Sequence, residues 1–168
     1  IQDYKLATFC APPTMYRFML QEDVAAYDLS SVENFATAGE PLNAEVTIQW
    51  ERLTGKKIRE GFGLTECVTA SCLTPPHMAK EGSIGLPFPD TYYKIVEPGT
   101  DKELPYGEEG EILIAGPTVM MEYVKHPEET AQTLRKHDDG LTWMYTGDLG
   151  MMDDEGFIYF KGRAKRMI

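Results

Sequence analysis

The first half of the chain alternates short apolar runs with segments whose apolar residues recur at helical spacing. Four apolar runs predict buried strands, at residues 7–11, 32–38, 57–59 and 68–73. Two helices are predicted between them, from Pro13 to Leu20 and from a cap at Asn43 to Gly55. This strand–helix–strand order is typical of a parallel sheet with right-handed crossovers.

Each predicted helix should bury the face that carries its apolar side chains. In the first helix those side chains are Met15, Phe18 and Met19. In the second helix they are Val46, Ile48, Trp50 and Leu53. We therefore expect them to form the core of this half, together with Phe35 of the second strand.

The second half is punctuated by glycine and proline from Pro75 onward. Short runs between these breaks predict strands at residues 92–96, 111–115 and 157–160, with a helix at 128–136 and a hairpin turn at 153–156. The predicted fold class is therefore α/β. Part of a parallel-sheet α/β subdomain at residues 1–79 is followed by a β-rich subdomain, a distorted barrel or sheet, at residues 80–162.

Charge and composition exclude several classes of protein. The 168 residues carry a net charge of −11, and residues 81–160 hold 17 acidic but 5 basic side chains. Before the basic last eight residues, the chain lacks the basic stripe of a nucleic-acid groove, so no nucleic-acid partner is expected. No apolar run approaches the roughly 18 residues of a membrane-spanning helix. The sparse, odd set of cysteines favours a reducing, cytoplasmic compartment.

Two stretches at predicted strand ends carry residues suited to a nucleotide. At residues 37–42, Gly39 would let a flat ligand approach the backbone closely, although this segment taken alone favours an ordinary strand-to-helix loop. At residues 61–66, Phe62 offers a ring to a planar base, Thr65 a hydroxyl to phosphate, and Glu66 a carboxylate to Mg²⁺. The alternative here is a turn with a buried Phe62 and an exposed acid.

Two further stretches lie near the end of the chain. Asp148 follows a glycine turn, and its carboxylate could accept hydrogen bonds from two ribose hydroxyls. Gly162 precedes a charged run at 163–166 that could act as a hinge. The alternatives are an ordinary Asp-containing turn and a solvated basic turn. The chain starts at Ile1 without methionine and stops inside an apolar–basic run, so we expect it to be an excerpt of a longer protein.

Five motifs in order resemble the adenylate-forming superfamily, and most nearly its AMP-forming acyl-CoA synthetases of the medium-chain or aryl-acid type. They are Ala38-Gly39-Glu40-Pro41-Leu42, residues 60–66, residues 110–114 with Gly116-Pro117, residues 145–148, and Gly162-Arg163-Ala164-Lys165. The resemblance implies ligation of a carboxylic acid to CoA by way of an acyl-adenylate formed from ATP, with Mg²⁺. It covers essentially the whole chain.

The resemblance also implies roles for individual residues. Phe62, where the family more often has Tyr, would stack on adenine, with Glu60, Gly61 and Gly63 beside it and Gly39, Glu40 and Pro41 on the opposite face. Thr65 would contact the α-phosphate and Glu66 would hold Mg²⁺, which makes these two the catalytic residues. Asp148 and Arg163 would bind the ribose hydroxyls. Ala38, Gly63 and Leu64 would line the acyl pocket, and Lys165 would be the pivot of a hinge over 163–168.

The family's phosphate-binding loop would precede Ile1, and its C-terminal catalytic lysine would follow Ile168. By itself the chain is therefore expected to show no measurable ATP–pyrophosphate exchange. Two alternatives stay open: an adenylation domain that loads a carrier protein, and a non-catalytic nucleotide-binding module. The identity of the acid and the oligomeric state also stay open.

Overall fold

A computed structural model describes residues 1–68 and 70–164 of the chain. The first half contains two helices and a five-stranded sheet. The helices are α1 (Pro13–Met19) and α2 (Ala44–Thr54). The strands are β1 (Thr8–Cys10), β2 (Asn34–Thr37), β3 (Ile58–Phe62), β4 (Cys72–Leu73) and β5 (Leu86–Pro87), paired in that order. In the described part of the chain, no helix is long and apolar enough to cross a membrane.

The parallel sheet predicted from the sequence is confined to its first three strands. β1 pairs with β2 and β2 with β3 in parallel, which places Phe9 opposite Phe35 and Phe35 opposite Ile58. β4 and β5 instead run antiparallel to their neighbours. Only residues 63–71 connect β3 to β4, and a parallel pair needs a crossover of about a dozen residues or more.

Helix α2 is capped as its sequence predicts. The Asn43 side chain accepts a hydrogen bond from the Glu45 N–H at 2.8 Å, and Gly55 ends the helix at φ 70° in the left-handed region. Trp50 is fully buried in edge-to-face contact with Tyr16 at 4.9 Å and with Phe35 at 5.1 Å between ring centroids. These three rings form the centre of the first core.

The predicted buried faces of both helices are partly wrong. Helix α1 buries Tyr16, whereas Met15 and Phe18 are about half exposed. The Tyr16 hydroxyl donates to the Ala36 carbonyl at 2.9 Å, and this bond turns the helix toward β2. In α2, Val46 and Trp50 are buried, but the outer face of the helix carries two exposed apolar residues, Ile48 and Leu53.

The second half is built on an antiparallel sheet. Its elements are β6 (Tyr92–Val96), β7 (Glu109–Ala115), α3 (Pro127–Thr133), β8 (Leu134–Lys136), β9 (Thr142–Met152) and β10 (Ile158–Arg163). The strand order is β10-β9-β7-β6. The long strand β9 pairs with β7 along one edge, and with both β8 and β10 along the other.

Two predictions for this half need correction. The sheet is open rather than a barrel, because β6 does not pair with β10 among the described strands; bulges in β7–β9 and β9–β10 distort it instead. The helix predicted at 128–136 ends at Thr133. Residues Leu134–Lys136 extend as β8 against β9, where the ladder and the half-buried Leu134 outweigh helix propensity.

The two sheets share a core and a backbone seam. Cys67 and Cys72, from the β3–β4 region, pack with Ile84, which precedes β5, and with Ile112 and other buried side chains of the second sheet. In the seam, the Ile158 N–H donates to the Gly85 carbonyl at 3.0 Å, and the Ile84 N–H donates to the Ile158 carbonyl at 2.9 Å. The C-terminal strand β10 is thereby attached to the segment that leads into β5.

Lys80 ties this connecting segment to the β9–β10 turn. Its Nζ donates to Asp153 Oδ2 at 2.7 Å, contacts the Glu155 carboxylate and lies 4.7 Å from the centre of the Phe157 ring. Partial desolvation acts to raise the pKa of Asp153, but hydrogen bonds from Lys80 and from backbone N–H groups outweigh it and lower that pKa. The turn is therefore held by a carboxylate that prefers its charged form in the folded chain.

Replacing Lys80 by methionine in the complete protein is expected to lower Tm at about pH 7. A depressed folded-state pKa contributes stability above the ordinary aspartate range, and the contribution is lost as pH falls through the folded value. The Tm difference between wild type and Lys80→Met should therefore shrink in scans at acidic pH. Lys102→Met, which removes an exposed pair with Glu97, is the matched control. A Tm difference that does not change with pH would contradict the role of the Asp153 carboxylate.

Candidate functional site

A cavity of about 160 Å³ lies where the two sheets meet, at the carboxyl ends of β2 and β3. Nine of the ten residues predicted to contact the nucleotide line it: Gly39, Glu40, Pro41, Glu60, Gly61, Phe62, Gly63, Asp148 and Arg163. Residues far apart in the sequence thus share one pocket. Their roles toward a nucleotide remain predictions from the sequence.

The other predicted residues lie elsewhere. Thr65 is exposed and does not line this cavity. Leu64 and Glu66 line an adjoining cavity of about 630 Å³, which Arg163 also borders, so the two spaces meet at Arg163. Ala38 borders neither cavity, so the three predicted acyl-pocket residues do not share one. Lys165 falls outside the residues that the structure describes.

Phe62 ends β3 and faces an aromatic residue from the opposite sheet. Its ring centroid lies 5.9 Å from that of Phe160 in β10, with 33° between the ring planes. Gly61 is extended beside it, where a Cβ would come within 3.0 Å of the Cys72 carbonyl oxygen. No sequence pattern singled out Phe160 or Ile84 as cavity residues, because only the pairing of distant strands brings them here. For Phe160, the available signal was the apolar run at 157–160, which predicts a strand.

Two polar groups line the pocket beneath the 39–41 loop. The Thr37 hydroxyl is buried and has no hydrogen-bond partner among the described residues. Buried hydroxyls are usually paired, so the unpaired Thr37 hydroxyl is a candidate contact for a ligand. No sequence pattern singled it out. Glu60 accepts a hydrogen bond from the Leu42 N–H at 3.3 Å, which links β3 to the 39–42 loop. Burial raises the pKa of the Glu60 carboxyl.

Asp148 reaches the cavity through a bulge in β9. Opposite the single β7 residue Ile112, strand β9 inserts Thr146, Gly147 and Asp148. Gly147 takes φ 69°, and its N–H donates to Glu111 Oε1 at 2.9 Å. The Thr146 hydroxyl donates to the Ile112 carbonyl at 2.7 Å and accepts from the Asp148 N–H at 3.1 Å. These bonds fix the turn that places Asp148 at the cavity.

Asp148 is only 1% exposed, so its carboxylate is buried. Burial raises its pKa, the nearby Arg163 acts in the opposite direction, and the carboxylates of Glu111 and Glu66 raise it further. Arg163 Nε lies 3.1 Å from Asp148 Oδ1, yet the N–H is not aligned for a hydrogen bond, and Oδ1 accepts none within residues 1–68 and 70–164. The carboxylate therefore has free acceptor capacity beside the Arg163 guanidinium, which is largely exposed to solvent.

Glu66 and Glu111 supply carboxylate oxygens to the adjoining cavity. The Tyr123 hydroxyl donates to Glu66 Oε1 at 2.7 Å, while Glu66 Oε2 accepts no hydrogen bond from the described residues. In the same part of the chain, no group of three or more His, Cys, Asp or Glu residues could hold a metal ion alone. Mg²⁺ at nucleotide sites takes one or two carboxylates plus phosphate oxygens, so this donor set fits Mg²⁺ that arrives with a nucleotide.

Comparison with known proteins identifies the class of this chain. Residues 1–124 match the family model described as AMP-binding enzyme. The chain therefore belongs to the family of AMP-binding enzymes. The α/β fold class predicted from the sequence is confirmed by the same comparisons.

Particular relatives agree with this assignment. The chain is 40% identical over 173 residues to the long-chain-fatty-acid–CoA ligase of Bacillus subtilis, covering all of this chain and 30% of the relative. It is 36% identical to the mitochondrial acyl-coenzyme A synthetase ACSM3 of Homo sapiens, of which it covers 28%. The chain thus spans about 30% of the length of the curated relatives it matches.

Solved structures give the same result. The anthranilate CoA ligase AuaEII in complex with anthranoyl-AMP superposes with a TM-score of 0.87 at 30% identity, over 100% of this chain and 32% of that one. ATP-bound MatB from Rhodopseudomonas palustris gives the same TM-score and identity, over 99% of this chain and 33% of that one.

Proposed function

We propose that the complete protein is an AMP-forming acid–CoA ligase whose adenosine site is the cavity between the two sheets. The observation that supports this most is the convergence of Phe62, Asp148 and Arg163 on one pocket below the Gly39–Pro41 loop, in a chain of the AMP-binding enzyme family. Each of these residues lies on a different element. If each motif were only a local turn, the fold would have no reason to bring these three side chains to one pocket.

The pocket suits the parts of a nucleotide in order. Phe62 and Phe160 offer aromatic faces to adenine, and the exposed backbone at Gly39 offers hydrogen-bonding groups to its edge. Asp148 accepts hydrogen bonds from the ribose hydroxyls, with Arg163 beside it. The phosphates then extend toward the adjoining cavity and Glu66.

The reaction that this site would support has two steps. A carboxylate oxygen of the acid attacks the α-phosphorus of ATP, and pyrophosphate leaves. The CoA thiolate then attacks the acyl carbon, and AMP leaves. Glu66, with Glu111 near it, would hold Mg²⁺, which offsets phosphate charge when bound. Thr65 is proposed to contact the α-phosphate, for which its exposed position leaves access.

The substrate is proposed to be a fatty or aromatic carboxylic acid, with CoA as acceptor. Similar proteins are described as a long-chain-fatty-acid–CoA ligase and an anthranilate CoA ligase. Because these relatives are CoA ligases, loading of a carrier protein and a non-catalytic nucleotide-binding module are not favoured. The domain limits at 1–79 and 80–162 and the hinge at 163–168 also stand as proposals.

An exchange assay on the complete protein tests this function. We expect ATP–pyrophosphate exchange that depends on an added acid and needs no CoA, in a panel of straight-chain and aryl acids. Addition of CoA should then yield the acyl-CoA, detected by mass spectrometry. Absence of exchange with every acid would refute the proposal, and product formed only on a carrier protein would refute the acceptor.

The proposed location is the cytoplasm. All three cysteines, Cys10, Cys67 and Cys72, are free thiols, as in a reducing compartment. A mitochondrial relative also exists, so fractionation of cells that express the complete protein is the deciding measurement. Recovery with mitochondria would refute the cytoplasmic location.

A further inference from the structure

The loop between β7 and α3 is attached to Glu66 at two points. The Met120 N–H donates to the Glu66 carbonyl at 2.7 Å. The Tyr123 hydroxyl donates to Glu66 Oε1, also at 2.7 Å. The second contact joins residues that are 57 positions apart, from the two halves of the fold. One bond holds the backbone of Glu66 and the other holds its side chain.

Tyr123 is itself held in place by the start of α3. Its N–H donates to the Thr130 hydroxyl at 2.9 Å, and the Thr130 hydroxyl donates to the His126 carbonyl at 2.8 Å. The His126 N–H in turn donates to the Tyr123 carbonyl at 3.0 Å.

Glu66 needs such a partner because of where it lies. It sits in a short 3₁₀ turn, Thr65–Cys67, at the border of the larger cavity, and its side chain is half-buried. A glutamate with several free rotamers loses conformational entropy when it binds a cation. A hydrogen bond to one oxygen removes part of that loss in advance. It also leaves Oε2 without a hydrogen-bond partner among the described residues, and Glu66 borders the larger cavity.

We propose that Tyr123 is a positioning residue for the metal-binding carboxylate of Glu66. This inference rests on the proposed function, since it assumes that Glu66 binds the cation that accompanies ATP. Tyr123 does not touch nucleotide or metal in this account. It fixes the orientation of the residue that does.

The test uses Tyr123→Phe in the complete protein, because this change removes the hydroxyl and keeps the ring and the Met120 contact. Mn²⁺ binding is measured by EPR in the presence of a non-hydrolysable ATP analogue. We expect Mn²⁺ affinity to fall roughly 10-fold to 100-fold. Metal-free binding of the analogue and Tm should stay at wild-type values. The Mg²⁺ concentration for half-maximal exchange should rise in parallel.

Two variants serve as controls. Tyr159→Phe removes a tyrosine hydroxyl that donates to Asp153 at 3.2 Å, outside the cavities, and should leave Mn²⁺ affinity unchanged. Glu66→Gln should abolish high-affinity Mn²⁺ binding. If Tyr123→Phe keeps wild-type Mn²⁺ affinity while Glu66→Gln loses Mn²⁺ binding, the positioning role of Tyr123 is overturned and the metal role of Glu66 is kept. A lowered Tm with loss of metal-free analogue binding would assign Tyr123 a structural role and also overturn it.

The same experiment separates this inference from the function on which it rests. Wild-type Mn²⁺ affinity in Glu66→Gln would refute the metal role of Glu66, and the role of Tyr123 would fall with it. Acid-dependent exchange in the wild-type protein would then still support the ligase activity.

Discussion

Replacing Asp148 by alanine in the complete protein is expected to weaken ATP binding by about 100-fold. Hydrogen bonds to a charged group are worth roughly 1.5–3 kcal/mol each, so losing two ribose contacts costs about 3 kcal/mol or more. The carboxylate is buried, and a water molecule in its place cannot act as an equally fixed acceptor. Isothermal titration with ATP, or with a non-hydrolysable analogue, measures the change.

Asp148→Asn separates charge from shape in the same experiment. The amide keeps one acceptor oxygen, so we expect an intermediate loss of about 10-fold. Folding stability should not fall, because burial raises the pKa of Asp148 and its ionised form is disfavoured in the folded chain. Asp154→Ala, an exposed aspartate in the β9–β10 turn, is the control. ATP affinity in Asp148→Ala equal to that of this control would contradict the ribose role.

Replacing Gly85 by alanine should destabilise the protein more than replacing Gly82 by alanine. Gly85 takes φ +100°, and a Cβ there would lie 2.1 Å from the Leu73 carbonyl carbon and 2.2 Å from the Thr74 nitrogen. These are backbone atoms of the β4 region, so relief requires the seam with Ile158 to move. We expect a loss of about 2 to 5 kcal/mol in the free energy of unfolding, from the left-handed backbone and the overpacking together.

Gly82→Ala is the matched control for that change. Gly82 also has a positive φ, +75°, but a Cβ would meet nothing within 4 Å. It should therefore lose only about 1–2 kcal/mol, the backbone contribution. Urea unfolding of both variants compares them directly. Equal losses would show that close packing at Gly85 contributes nothing. Because Gly82 and Ile84 line the cavity, Gly85→Ala should also weaken ATP binding.

The sequence predicted most reliably those features that depend on local chemistry. The Asn43 cap and the Gly55 terminus act within one turn of α2, and both appear as expected. The Asp153–Gly156 hairpin turn is likewise local, since Asp153 accepts from the Glu155 and Phe157 N–H groups. Side-chain hydrogen bonds within a few residues need no tertiary information.

Features that depend on distant partners were harder to predict. Tyr16, rather than Met15 and Phe18, is buried in the core because its hydroxyl donates to the Ala36 carbonyl on β2. The spacing of apolar residues along the helix does not predict such a hydrogen bond. The end of the third helix became β8 because β9 offered a free edge there. The antiparallel turn at β4 followed from a connection too short for a crossover, and the residue count alone could have revealed it.

The candidate site shows the same division. Motifs at strand ends, together with the resemblance to the adenylate-forming superfamily, predicted nine of the residues that line the cavity. The 39–41 and 60–63 segments meet there because the carboxyl ends of parallel strands lie at one edge of the sheet. Phe160 and Thr37 needed the packing of the second sheet on the first to be recognised. Tyr123 could not be anticipated, since its partner Glu66 lies 57 positions away.

The seam between the sheets has a consequence for how the chain reaches its native state. The walls of the smaller cavity come from segments near residues 37–41, 60–63, 82–84 and 148–163, so no half of the chain holds a complete binding surface. A nucleotide that binds this cavity therefore selects only molecules in which both sheets have formed and docked. By mass action it would deplete partly folded species. A higher nucleotide concentration would then raise the fraction of molecules that are completely folded.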